Sequence, residues 1–86
     1  MINGNEIFTK VTLPSGMEAC VIEGKGCHYF RAMEKGKGNT GAIIKYLILE
    51  LVFIKDKLIT KEEADNLPMR DVSYLFEVVA LMMSND

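Results

Sequence analysis

The sequence predicts an α+β domain in which an N-terminal antiparallel β-hairpin is followed by three to four α-helices. Residues 6–13 are rich in β-branched side chains that nearly alternate with polar ones, as in a half-buried strand. Apolar residues recur at helical spacing in 42–54 and again in 69–83. With 86 residues, of which 49% are hydrophobic, the chain suits one domain with a modest core and is too short for a two-domain enzyme.

The predicted hairpin spans residues 6–23 and turns at residues 13–16, Leu-Pro-Ser-Gly. Proline at the second position and glycine at the fourth suit a type I turn that is closed by a left-handed glycine. The segment 17–23 is therefore predicted to be the return strand.

Helices are predicted over the rest of a single domain that spans 1–86, in a helical part that covers 27–83. A short helix over 27–35 precedes a glycine-rich loop at 36–41. A longer helix over 42–54 follows the loop, although its isoleucine and valine content would also suit a strand.

The last two predicted helices carry recognisable start signals. Thr60 and Glu63 match a capping box, in which the hydroxyl and the carboxylate each bind a free backbone N–H, so a short helix is predicted through about Asn66. Pro68 suits the first position of the final helix, and Asp71 lies in its first turn, where the helix dipole favours an anion, on the predicted solvent side of that helix.

The charge balance gives no sign of a nucleic-acid surface. The formal net charge is −2; residues 1–41 carry +1 and residues 42–86 carry −3, which disfavours binding to a phosphate backbone. The apolar run 42–54 is shorter than the about 20 residues that cross a membrane. We therefore expect neither nucleic-acid nor membrane partners.

The N-terminus and the cysteine content predict a cytoplasmic protein. Residues 1–5 offer neither the basic region nor the apolar run of a signal peptide. Two cysteines, Cys20 and Cys27, are too few for the disulfide framework that a small secreted domain needs. We expect both to be free thiols.

A glycine-rich motif lies between the first and second predicted helices. Gly36, Gly38 and Gly41 satisfy the G-x-G-x-x-G spacing of a dinucleotide-binding loop, in which the glycines let a pyrophosphate approach a helix N-terminus. Here a predicted helix precedes the loop, whereas a dinucleotide fold needs a strand there. We favour a loop whose Thr40 caps the next helix. Nucleotide binding by these glycines is the less favoured hypothesis.

The remaining reactive side chains predict no active centre. Cys20, Cys27 and His28 are fewer than the four ligands of a closed zinc site. Because adjacent helical residues point about 100° apart, Cys27 and His28 also make a poor nucleophile–base pair. We expect no catalytic, metal or cofactor residues, and therefore a protein that is not an enzyme.

Both long predicted helices carry more apolar surface than one buried face requires. A surplus stripe of this kind is either a second buried face or a surface for a partner, and the hairpin and short helix could cover one of the two stripes. The predicted core faces consist of Ile43, Ile44, Leu47, Ile48, Leu51 and Ile54, and of Val72, Leu75, Phe76, Val79 and Met83. The predicted partner-binding residues are Tyr46, Leu49, Phe53, Tyr74, Val78 and Leu81.

The order of these signals also carries a family resemblance. The strand that ends in Val-Thr-Leu-Pro-Ser-Gly at 11–16 precedes a short helix near Ala32, Thr-Lys-Glu-Glu at 60–63, and Leu-Pro-Met-Arg-Asp at 67–71 before the final helix. This order resembles that of the small tail assembly chaperones of long-tailed phages, the Mu-like and related group. The resemblance spans nearly the whole chain.

The resemblance implies a non-enzymatic phage or prophage protein of the bacterial cytoplasm. Such chaperones bind the tape-measure protein before the tail-tube subunits polymerise around it, and the family has no catalytic residues to transfer. A chaperone for a long helical client needs exposed apolar surface, which the two stripes would supply. The alternative is a small self-assembling structural or adaptor protein of phage or prophage origin, in which the same stripes form a homo-oligomer.

Overall fold

An antiparallel four-stranded sheet and four helices form the structure, a computed structural model that describes residues 4–84. The sheet order is β1-β2-β3-β4, and each strand pairs with its neighbour in sequence. The predicted class, an α+β fold with an N-terminal hairpin before the helices, is confirmed. The elements are β1 (Ile7–Thr12), β2 (Glu18–Ile22), α1 (Gly26–Gly36), α2 (Thr40–Leu51), β3 (Val52–Ile54), β4 (Lys57–Leu58), α3 (Lys61–Asp65) and α4 (Met69–Met83).

The first hairpin turns as its sequence predicts. The Gly16 N–H donates to the Leu13 carbonyl at 2.7 Å, and the Leu13 N–H donates to the Met17 carbonyl at 2.7 Å. Gly16 has a φ of 98°, a left-handed conformation that glycine adopts without steric cost. The turn therefore sets the register of β1 and β2.

The prediction of a helix over 42–54, and of an entirely helical part over 27–83, is wrong at residues 52–58. The helix ends at Leu51, and the chain continues as β3, in which Val52 pairs with Val21 of β2. β-branched and aromatic side chains suit a strand, and the open edge of β2 supplies the hydrogen-bonding partner that decides between the two conformations. Lys55 and Asp56, both with positive φ, turn the chain into β4.

The core lies between the sheet and helices α2 and α4, and within residues 4–84 it is apolar apart from the Asp71 carboxylate. Five of the six predicted core residues of the helix 42–54 are buried in α2, whereas Ile54 is half-buried in β3. The buried apolar residues are Leu13, Ala19, Val21, Ile22, Ala32, Ile43, Ile44, Leu47, Ile48, Leu51, Val52, Phe53, Ile59, Leu75 and Val79.

Two helix starts differ from the predictions by one residue. Asn39, not Thr40, caps α2, because its side chain accepts a hydrogen bond from the Ala42 N–H at 3.0 Å. Pro68 is the residue before α4 and not its first helical residue. The capping box of α3 is confirmed: Thr60 Oγ1 accepts from the Glu63 N–H at 3.1 Å, and Glu63 Oε1 accepts from the Thr60 N–H at 2.9 Å.

The glycine-rich segment joins two closely packed helices. Gly36 ends α1, and a Cβ added to it would lie 2.9 Å from the Ile43 backbone nitrogen of α2. Gly38 has a φ of 81° and follows a left-handed Lys37. The first two glycines of the motif are therefore explained by the approach of α1 to α2 and by the turn between them.

Candidate functional site

An open apolar groove lies between α2, α3 and α4 and has a volume of about 340 Å³. Residues 41–49 of α2 and the first half of α4 form its two long walls, and the short helix α3 closes one side. We call it the α2–α3–α4 groove. It is lined by Gly41, Ala42, Lys45, Ile48, Leu49, Lys61, Ala64, Asp65, Leu67, Val72, Leu75 and Phe76.

The α4 wall has one buried row and one half-buried row of apolar side chains. Leu75 is fully buried and belongs to the floor of the groove. Val72 and Phe76 are half-buried, and because they are four residues apart on a helix they lie one above the other. Together with the half-buried Leu49 of α2, they offer apolar surface that a ligand can cover.

The third wall is positioned by local sequence signals. The capping box of Thr60 and Glu63 fixes the start of α3, and the Leu67–Pro68 segment separates α3 from α4. This brings Ala64 and Leu67, both half-buried, into contact with the groove.

Charged side chains stand on the rim of the groove. Lys45 of α2 is exposed, and its Nζ lies 5.9 Å from the centre of the Tyr46 ring. On α3, Lys61 Nζ lies 3.5 Å from Asp65 Oδ2, and these side chains are 64% and 58% exposed. The rim therefore carries two cations and one anion around an apolar floor.

A buried carboxylate fixes α4 to the first hairpin. Asp71 is fully buried; it accepts a hydrogen bond from the Ser15 N–H at 3.0 Å and another from the Ser15 hydroxyl at 2.5 Å. The prediction that Asp71 marks the solvent side of α4 is thus wrong, because the β1–β2 turn supplies donors that satisfy the carboxylate inside the protein. These bonds set the rotation of α4, and with it the direction of Val72 and Phe76.

The structure separates the three partner-binding residues that were predicted on the helix 42–54. Leu49 lines the groove, whereas Tyr46 is half-buried with the ammonium groups of Lys35 and Lys45 5.8 and 5.9 Å from its ring centre. Phe53 lies in β3 and is only 4% exposed. Its assignment to a partner surface is wrong, since the helix has ended before this residue.

The predicted residues of the last helix remain together but lie away from the groove. Tyr74, Val78 and Leu81, which we call the α4 stripe, are spaced at i, i+4 and i+7. Leu81 is 68% exposed, Tyr74 is 37% exposed and Val78 is half-buried. At about 100° per residue, the stripe and the pair Val72–Phe76 lie on opposite sides of the buried row.

The core face that the sequence predicts for α4 includes the residues that form its groove wall. Val72 and Phe76 are only half-buried, and Met83, also predicted to be in the core, is 38% exposed. The helical period identifies the apolar side of α4, but it does not show how much of that side α3 covers. Ala64 and Leu67 were missed, and their apolar character beside the capping box was the available signal.

An ion pair connects α1 to α2 outside the groove. Arg31 donates to Glu50 Oε1 from Nε at 2.9 Å and from Nη2 at 2.7 Å. The hydrogen bonds to Glu50 and its charge raise the pKa of the Arg31 guanidinium above its ordinary value. Within residues 4–84, the buried Glu50 Oε2 has no hydrogen-bond partner, so this pair connects α1 to α2 without saturating the carboxylate.

The cysteine and histidine side chains are dispersed. Cys20 and Cys27 are free thiols, and His28 Nδ1 accepts a hydrogen bond from the Lys25 N–H at 2.9 Å, which caps the start of α1. Within residues 4–84, no three His, Cys, Asp or Glu side chains form a group that could hold a metal ion.

In the part of the chain that the structure describes, no helix has both the length and the apolar content needed to cross a membrane. No family model, no curated protein and no solved structure matches this chain.

Proposed function

We propose that this protein is a non-enzymatic tail assembly chaperone of a phage or prophage, which binds the tape-measure protein in the cytoplasm of the bacterial host during tail morphogenesis. The observation that carries the proposal is the α2–α3–α4 groove, an open apolar cleft with a volume of about 340 Å³ and half-buried side chains on its walls. The tape-measure client itself comes from the family resemblance of the sequence.

The shape of the groove supports helix binding. An amphipathic helix binds such a groove through apolar side chains at i, i+3, i+4 and i+7. Leu49 and Phe76 stand on facing walls and are only half-buried, so a client helix would remove further apolar area from water at both. This would also keep the apolar face of the client from aggregating before the tail tube forms.

The motifs of the resemblance are in contact in the structure, which gives further support. Ser15 of the Leu-Pro-Ser-Gly turn and Asp71 of the Leu-Pro-Met-Arg-Asp segment are hydrogen-bonded, although 56 residues separate them. The two motifs therefore form one structural unit, and this gives a physical reason for their occurring together.

Co-expression with the tape-measure protein of the same phage or prophage, followed by size-exclusion chromatography, tests the proposal. We expect the two proteins to co-elute. The variant Leu49→Asp should lose the client, because it places a carboxylate on an apolar wall. Met69→Asp is the matched control, since Met69 is 88% exposed and does not line the groove. Both variants must first show wild-type circular dichroism.

Separate elution of the wild-type protein and the client would contradict the proposal. Equal binding by Leu49→Asp and Met69→Asp would preserve a chaperone function and place its site elsewhere. If Leu49→Asp unfolds, Phe76→Gln on the facing wall replaces it in the same assay.

The α4 stripe favours a second candidate, a self-assembling structural or adaptor protein of phage or prophage origin. Leu81 is 68% exposed, beside Tyr74 at 37%, and such a row of apolar side chains suits association between copies. Light scattering separates the candidates: a closed oligomer whose size is independent of concentration, without affinity for the client, would favour self-assembly.

A further inference from the structure

We infer that the α2–α3–α4 groove selects a client helix whose apolar anchor residues are bordered by acidic side chains, with Lys45 and Lys61 as the specificity-determining residues. The inference rests on the proposed function, because it takes the occupant of the groove to be a helix of a protein client. It adds the chemistry of that helix, which the apolar lining alone does not determine.

The floor and the walls determine where the apolar anchors of the client would lie. Leu75 and Ile48 are already buried and form the floor. Gly41, Ala42 and Ala64 bring small side chains to the edges of the groove, so a second helix backbone can come close to the surface there.

The rim determines the charge that would stand beside those anchors. In the described part of the chain, no carboxylate lies within ion-pairing distance of Lys45, which is exposed and whose Nζ lies 5.9 Å from the centre of the Tyr46 ring. Lys61 has Asp65 as its partner, but an exposed i, i+4 pair of this kind contributes little stability and exchanges readily. Both ammonium groups can therefore turn to a carboxylate of the client.

The charge of the rim also differs from that beside the α4 stripe. Lys45, Lys61 and Asp65 give the groove a net positive border. The α4 stripe, in contrast, is bordered by Arg70 and Glu77, which are of opposite sign and balance each other. A preference for acidic flanks is thus expected at the groove and not at the stripe.

Two synthetic amphipathic helices test the inference. Both carry leucine at i, i+4 and i+7, and they differ only in having glutamate or lysine at the positions that border the leucines. Fluorescence anisotropy with the 86-residue protein measures their affinities. We expect the glutamate peptide to bind about tenfold more tightly, and the difference to shrink as salt screens the charges. The double variant Lys45→Glu, Lys61→Glu should reverse the preference.

Lys10→Glu is the matched control, because Lys10 is an exposed lysine on β1 and does not line the groove. It should keep the wild-type preference. Amide chemical shifts locate the bound peptide: Gly41 and Ala64 should move if it binds in the groove, and Val78 and Leu81 should move if the α4 stripe binds it.

Three results would overturn the inference: equal affinities for the two peptides, a preference that Lys45→Glu, Lys61→Glu leaves unchanged, and no binding of either peptide. If the tape-measure protein nevertheless co-elutes with the wild-type protein, the proposed function stands and only the charge selection fails. If the glutamate peptide binds the groove while the tape-measure protein elutes separately, the selection stands and the client was misidentified.

Discussion

Helix α4 has two sides that differ in how completely their side chains are buried. On one side, Asp71, Leu75 and Val79 are fully buried, and Asp71 is hydrogen-bonded to Ser15. One residue further round, Val72 and Phe76 remain half-buried in the wall of the groove. The comparison indicates that α4 is fixed by its buried side, so that its groove side can stay apolar and accessible without turning inward.

Asp71 has a special part in this arrangement because polar bonds are directional. Apolar packing alone would tolerate a rotation of α4 that buried Val72 or Phe76 in place of Leu75. A rotation of that kind would take the Asp71 carboxylate away from both Ser15 donors, and an unsatisfied buried carboxylate is costly. The carboxylate thus specifies which apolar residues of α4 become core and which become groove.

The largest expected effect contrasts two neighbours on α4. Leu75→Ala should lower the free energy of unfolding by about 2–5 kcal/mol, because it leaves a cavity in the core. Phe76→Ala removes a larger side chain, but one that is only half-buried, so it should cost at least about 1 kcal/mol less. Urea unfolding measures both, and equal losses would mean that Phe76 is a core residue and the groove has no free wall.

The next effect concerns the bond that fixes the buried side. Asp71→Ala leaves the Ser15 N–H without its acceptor and should destabilise the protein by about 2–4 kcal/mol in urea unfolding. Asp65→Ala, which removes an exposed carboxylate in an ion pair with Lys61, should stay within about 0.5 kcal/mol of wild type. A similar loss in the two variants would show that Asp71 does not determine the position of α4.

Local signals predicted the elements whose hydrogen bonds are themselves local. The turn at Leu13–Gly16 and the capping box of Thr60 and Glu63 form between residues three positions apart, and both are present as expected. β3 was missed because its partner Val21 is 31 positions away from Val52, and no pattern within 42–54 indicates that β2 has an open edge.

The candidate site was only partly predictable for the same reason. Leu49 was identified from its position outside the core face of its helix, and it does line the groove. Phe53 followed the same wheel beyond the point where the helix ends, and Phe76 was assigned to a core that α3 does not complete. The Ser15 partner of Asp71 could not be found either, because it depends on where the hairpin meets α4.

A smaller effect is expected at the far end of the buried side. The Gly24 N–H donates to Met82 Sδ at 3.3 Å, a weak bond to a half-buried thioether. Met82→Leu conserves the volume but removes the acceptor, so it should cost about 0.5–1 kcal/mol in urea unfolding. Met83→Leu, on an exposed neighbour, should change nothing measurable. If Met82→Leu costs as much as Asp71→Ala, both ends of α4 are fixed equally.

The smallest effect on stability is expected on the α4 stripe. The stripe and the groove lie on opposite sides of the buried row of α4. Leu81 is 68% exposed, so Leu81→Asp should change the free energy of unfolding by no more than about 0.5 kcal/mol. Because Leu81 does not line the groove, client binding should persist, in contrast to Leu49→Asp.

Light scattering on the same sample then isolates the function of the stripe. A wild-type oligomer that Leu81→Asp dissociates, while the client still binds, would mean that α4 uses its two free sides for different partners: another copy on the stripe and a client helix in the groove. Loss of the client together with the oligomer would instead mean that the groove accepts its client only when copies of the chain are assembled.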